Sequence, residues 1–273
     1  MNDDSLLIEF EKRIRREVNY KKFLNSEILE KMYSLFPKRP LFINSNNFLF
    51  SLEDIKTFYK YYNINYYEII VNGFNNNRIT ISKDIKISHV STLSNDAYIK
   101  LTSNDIDLFS VVHELAHFID CNTNPHIIDD RYNIYAEVFS LYMEKKYEIY
   151  LRKISSIYNN VILTRRNNRL FYEKNYLFLI NLELYYENLY KKYGYIPIQK
   201  VDIDDVRRLM KLNYINIVNF LLRYPIGNIL SDYLLENEDI LLNGNICCKL
   251  NEVSISDEFD NFIDRYSKKI VKS

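Results

Sequence analysis

His113-Glu114-Leu115-Ala116-His117 places two imidazoles four residues apart, with a carboxylate directly after the first. On an α-helix, residues at i and i+4 lie one above the other on the same face. His113 and His117 can therefore offer ring nitrogens to one Zn2+ ion, with Glu114 beside them to handle a bound water. The chemistry this predicts is metal-assisted hydrolysis of a peptide bond. The ion acidifies water and polarises the carbonyl, while Glu114 takes the proton and returns it to the leaving amine. Val111, Val112, Leu115, Phe118 and Ile119 flank the pair and would bury the other helix faces. The chain has only 4 histidines, so abundance does not explain the spacing.

A catalytic zinc takes a third protein ligand and keeps one position open for water. Asp120 follows His117 on the same face, but a straight helix carries it about 10 Å along the axis from His113. It suits a hydrogen-bond partner of His117 better than a ligand. A metzincin would have Gly at position 120 and His at 123, where this chain has Asp120 and Thr123. His126 falls in the turn after the helix and reads as a surface histidine. Glu137 is flanked by apolar residues in Tyr135-Ala136-Glu137-Val138-Phe139. A short loop over 122–130 would bring its helix back alongside the first, with the Glu137 carboxylate opposite the histidine pair.

The elements that must position these groups read mostly as helices. Residues 4–36 repeat apolar positions at helical spacing, and Lys38-Arg39-Pro40 punctuates them. Residues 52–62 predict another helix, with Ser51 as N-cap and Asp54 at capping-box distance. Gly73 and Asn75 to Asn77 mark a turn. Residues 78–89 alternate apolar and polar (Ile79, Ile81, Ile85, Ile87), predicting a strand or hairpin, and 97–101 predict a second strand. Residues 79–87 or 97–101 could take an extended peptide by strand addition. Thr102-Ser103-Asn104 then caps a helix that runs to about 121 and stops over 122–125. Residues 132–190 read as long helices with a break near Asn159 and Asn160. Residues 202–233 are helical around a kink or break at Pro225 and Gly227. Ile255, Phe259, Phe262 and Ile263 form an apolar stripe in the tail.

The expected fold class is mainly α (α+β): a zincin-like core, its small sheet before the histidine helix, and a helical C-terminal region. One domain is expected over 1–273, with an N-terminal helical part (1–75), the sheet and zinc-binding helices (76–150), and a helical C-terminal part (151–273).

Composition narrows the function classes. In 273 residues, Lys plus Arg (36) equals Asp plus Glu (36), so the basic surplus of a nucleic-acid binder is missing. With 47% hydrophobic residues the chain has material for a folded core. Only 4 Gly and 5 Pro speak against sandwiches and barrels. No apolar run reaches membrane-spanning length, and the opening MNDDSLLIEF is not a signal peptide, so a cytoplasmic protein without a membrane partner is expected. Cys121, Cys247 and Cys248 lack metal or disulfide spacing and read as reduced thiols. The partner expected is a peptide or protein substrate; oligomeric state is not legible.

His113-Glu-Leu-Ala-His117 followed by Ala136-Glu137-Val138-x-Ser140-x-x-x-Glu144 resembles the gluzincin metallopeptidases, especially relatives of oligoendopeptidase F and thimet oligopeptidase. The resemblance implies one zinc ion held by His113, His117 and Glu137, with Glu114 as general base. Arg223-Tyr224-Pro225-Ile226-Gly227 is similar to that family's Tyr-x-x-Gly element, which implies Tyr224 as the hydroxyl that stabilises the oxyanion. Phe220 stands where another family tyrosine is expected. Tyr193 and Tyr195, flanking Gly194, are alternative hydroxyls. The main similarity spans about 105–144 and extends faintly to 233. Full-length relatives are much longer and enclose their site in a deep channel, so their peptide-length filter does not carry over. A looser resemblance, through Asp120 and Phe139, is to lethal-factor-type toxin proteases and implies an effector with one protein target. The contrasting class is a non-catalytic, zinc-stabilised helical binding module, in which Glu114 would have no use.

Overall fold

The computed structural model describes residues 3–14, 52–82, 84, 89–93, 96–102, 108–123, 135–212, 217–243, 250 and 261–265. The fold is mainly helical. Helices α1 (Asp3–Ile14), α2 (Leu52–Tyr62) and α3 (Ile64–Asn75) precede strands β1 (Ile79–Ser82), β2 (His89–Leu93) and β3 (Asp96–Thr102). Helices α4 (Leu108–Thr123), α5 (Val138–Ile154), α6 (Asn159–Tyr193), α7 (Ile203–Lys211) and α8 (Ile217–Glu236) follow. None of the described helices is long and apolar enough to cross a membrane. The expected N-caps Ser51, Ser103 and Asn104 lie outside the described residues, as do 15–50, His126, Cys247, Cys248 and 255–259.

Two compact units form. One comprises Met1–Pro40, Asn168–Pro225 and Ile263–Ser273, the other Leu41–Asn167 and Ile226–Phe262. In the first, Phe10, Ile14, Tyr186, Leu189, Ile196, Val206 and Leu209 make a core. Phe10 meets Tyr186 edge-on with ring centroids 5.4 Å apart. Arg13 crosses this core margin: one nitrogen donates to the Leu209 carbonyl at 2.8 Å and another pairs with Glu183 at 2.8 Å. One guanidinium thereby ties α1 to α6 and α7.

The second unit carries a three-stranded sheet in the order β1-β3-β2. β1 runs parallel to β3 with Ile79 opposite Ile99, and β2 runs antiparallel with Val90 opposite Ile99. Ala97, Ile99 and Leu101 are buried while Lys100 is exposed, the period of two expected for a strand with one covered face. Because β3 is paired along both sides, 97–101 cannot receive a peptide strand. That corrects one of the two expected edges; of the other, expected over 79–87, β1 is described and 83 and 85–87 lie outside the described residues. At β1 the alternation is incomplete, since Ile79 is buried but Ile81 is 47% exposed.

The break expected near Asn159 and Asn160 is present, whereas at Pro225 the chain stays helical. The interruption near Asn159 lies at Ser155, whose extended backbone ends α5 and whose Oγ accepts from the Ile157 N–H ahead of the turn Ser156–Tyr158. Asn159 and Asn160 open α6. Helix α8 runs on through Pro225. Burial of Leu221, Leu222, Ile226, Ile229 and Leu230 around it outweighs the roughly 3 kcal/mol that an interior proline costs. The interruption between α7 and α8 instead begins at Leu212.

Gly73 shows how tightly α3 is pressed against the sheet and α4. A Cβ there would stand 2.6 Å from Ile79 Cδ1 and 2.8 Å from the ring of Phe118. Helix propensity alone makes Gly→Ala favourable by about 1 kcal/mol, whereas overpacking a full core costs about 1–3 kcal/mol. Phe118 is fully buried and cannot swing aside, so the steric effect wins. Gly73→Ala is expected to lower the denaturant midpoint and Gly73→Val to lower it further; an unchanged midpoint for Val would refute the close packing.

Candidate metal centre

Helix α4 is held from several sides. The phenol of Tyr59, fully buried on α2, donates to the Val112 carbonyl at 2.7 Å. Burial keeps that hydroxyl protonated by raising its pKa well above the ordinary value. At the other end, the Arg78 guanidinium lies 5.4 Å above the Phe118 ring and donates to Asn122 at 3.1 Å. Val111, Val112, Leu115, Ala116, Phe118 and Ile119 are all buried, as their positions around His113 and His117 predict. The face left half-buried carries His113, Glu114 and His117.

Helix α5 supplies the opposing wall. Glu137 occupies its N-cap position rather than its first turn, and the helix proper begins at Val138. The Glu137 side chain makes no capping bond to the helix. It turns to the histidines instead, with Oε2 lying 3.0 Å from His113 Nε2 and 3.4 Å from His117 Nε2. The two Nε2 atoms are 3.0 Å apart. The positive end of α5 also favours an anion at this place.

This triangle tests directly for a cation. Ligand atoms at about 2.0–2.1 Å from a tetrahedral Zn2+ stand roughly 3.3 Å from one another. The sides found here, 3.0, 3.0 and 3.4 Å, match that spacing. Two imidazole nitrogens and a carboxylate oxygen aimed at one another bring lone pairs together, and only a proton or a metal ion relieves such a cluster. His113, His117 and Glu137 therefore form a group that could bind a metal ion. Glu137 is buried, and both histidines are only partly accessible.

Without metal, a proton takes that role. Burial disfavours a charged His113, but hydrogen bonds and charge from Glu137 and Glu144 prevail and push its pKa up to about 10. Burial likewise disfavours a charged Glu137, yet the facing His117 and His113 hold its carboxyl well below the usual range. An ion binding at pH 7 must displace the His113 proton. Titration calorimetry in buffers of different ionisation enthalpy should report release of about one proton per ion, with affinity rising towards higher pH. Binding without proton release would rule out His113 as a ligand.

The sequence pattern leaves Glu144 without a role, and the structure gives it one. Its Oε1 lies 2.6 Å from His113 Nδ1, so it accepts the ring N–H and leaves Nε2 free for an ion. The sequence signal was available: a glutamate two helical turns after Glu137 in a stretch where nearly every residue is buried. Arg165 binds the other oxygen of Glu144, and no local pattern announces it.

The remaining expected residues are placed as follows. Glu114 follows His113 on α4 and is half-buried. Asp120 is buried on α4 and is not among the three convergent ligands. Tyr224 belongs to the first unit, where its ring packs on Tyr176 and Phe220 and its hydroxyl accepts from Arg223 at 3.4 Å. Tyr193 and Tyr195 belong to the same unit and are exposed. Gly227, the last residue of the Tyr-x-x-Gly element, lies in the second unit directly against Glu137. A Cβ there would meet Glu137 Cβ at 3.0 Å and Leu141 Cδ1 at 3.1 Å. Comparison of the chain with protein-family models, curated proteins and solved structures finds no match.

Proposed function

We propose that this protein is a zinc-dependent metallopeptidase that hydrolyses peptide bonds at the centre formed by His113, His117 and Glu137. The observation that carries this reading is the convergence of three ligand atoms, two from α4 and one from the N-cap of α5, with Glu114 following His113 on α4. Two imidazoles and one carboxylate leave a tetrahedral ion an open position, the arrangement of catalytic rather than structural zinc. When bound, zinc supplies Lewis acidity, bringing the pKa of a bound water towards about 7 and polarising the scissile carbonyl.

The chain's own residues do the rest. His113 and His117 would hold the ion through their Nε2 atoms, and Glu137 would hold it through its carboxylate and offset part of its charge. Glu114 accepts the proton of the attacking water on its carboxylate and delivers it to the leaving amine nitrogen. Among the described residues β1 pairs with β3 alone, and its other edge would offer backbone groups to an extended substrate, which strand addition would align by main-chain hydrogen bonds.

Metal removal tests the reading. Wild-type protein should cleave members of a quenched fluorescent peptide panel, lose that cleavage on dialysis against a chelator, and regain it with one equivalent of Zn2+. Cleavage that survives complete metal removal would overturn the proposal. Stoichiometric zinc binding without any cleavage would favour the binding-module class instead.

A further inference from the structure

We infer that Arg165 is a positioning residue for the metal centre, acting on His113 through Glu144. The inference rests on the metal-site reading above and extends it by one residue. Arg165 stands near the start of α6, and both its Nε (3.2 Å) and Nη2 (3.0 Å) donate to Oε2 of Glu144. The same carboxylate uses Oε1 for His113 Nδ1 at 2.6 Å. Glu144 is almost completely buried, so its two oxygens are committed to two different partners rather than to solvent.

A two-point grip from a planar guanidinium fixes the rotation of the carboxylate as well as its place, which a lysine ammonium cannot do. That rotation decides whether Oε1 lies in the plane of the His113 ring. The His113 ring in turn aims Nε2 at the triangle with His117 and Glu137. The guanidinium is itself stacked 4.7 Å from the ring of Phe109, one helical turn before His113 on α4. Arg165 thus joins the beginning of α6 to both ligand-bearing helices. Outer partners of this kind typically change metal affinity by about 10- to 100-fold.

Its neighbour Arg166 provides the internal control. Arg166 pairs with Glu148 at 2.9 Å, also on α5, but is half-exposed, and among the described residues Glu148 makes no ion pair with a histidine. A helix-docking role would be shared by both arginines, whereas a positioning role belongs to Arg165 alone.

The experiment is a double-mutant cycle on zinc affinity in the full chain, measured by competition with a chromogenic chelator. Arg165→Ala and Glu144→Gln should each weaken zinc binding by about 10- to 100-fold, and the double variant should be no weaker than Glu144→Gln alone. Arg165→Lys should recover only part of the loss, and Arg166→Ala should bind like wild type. If Arg165→Ala proves poorly folded by thermal unfolding, Arg165→Lys and Arg165→Gln carry the same comparison. Cobalt substitution adds a spectroscopic readout, with the visible band of the Co2+ form expected to shift in Arg165→Ala and not in Arg166→Ala. Wild-type affinity in Arg165→Ala, or losses that simply add in the double variant, would overturn the inference. Absence of zinc binding by wild-type protein would instead overturn the metal-site reading on which it rests.

Discussion

Glu114→Gln is expected to reduce peptide hydrolysis by about 10³-fold while leaving zinc content and thermal stability essentially unchanged. Glutamine keeps the shape of the side chain but cannot take a proton from water or carry one to the leaving amine. Glu114 is not among the three convergent ligand atoms, so the substitution leaves the ion-binding triangle intact. It is half-buried on α4, and glutamine keeps its volume, so no core packing is lost. The separation of effects is the diagnostic feature. A structural carboxylate would change stability with little change in rate, and a ligand would change metal content. Equal cleavage by wild type and Glu114→Gln would remove Glu114 from the mechanism.

Glu137→Gln is expected to have the largest effect on metal binding, exceeding the roughly 100-fold limit typical of outer partners. The carboxylate is 4% exposed and faces both imidazoles, so its charge acts where solvent screens it poorly. An amide oxygen retains the shape but not the charge, and the amide nitrogen could present donors to the ion. Gly227→Ala should act on the same ligand by displacement. Its added carbon would press on the Glu137 Cβ and Leu141 from 3.0–3.1 Å, so the ligand must move by a few tenths of an ångström. A zinc affinity about 10-fold weaker than wild type is expected, smaller than for Glu137→Gln because the charge remains. Competition with a chelator of known affinity measures both, and wild-type affinity in Glu137→Gln would exclude it as the third ligand.

The histidine helix was legible in the sequence because its chemistry and its apolar frame use one local period, and α4 shows both. Glu137 was legible for a related reason: a carboxylate among apolar neighbours must find a partner when its helix is buried. Its position at the helix start was not legible, since the apolar run around it continues without a capping signal. The strand at 97–101 was readable from alternation, but its central place was not, because pairing order depends on partners distant in sequence. Of the kink or break expected at Pro225 and Gly227, the break is absent, because buried apolar residues there outweigh a local rule. Arg165 and Gly227 lay beyond local reading altogether. One acts across 21 residues on Glu144, and the other matters only because Glu137 and Leu141, distant in sequence, stand where its Cβ would be crowded.

The most direct test of the metal centre is X-ray absorption at the zinc edge on protein loaded with one equivalent of zinc. The predicted spectrum has only nitrogen and oxygen neighbours at about 2.0–2.1 Å, with outer-shell scattering from two imidazole rings, one of which disappears in His117→Ala. A zinc–sulfur path near 2.3 Å, or imidazole scattering that does not change in His117→Ala, would contradict it.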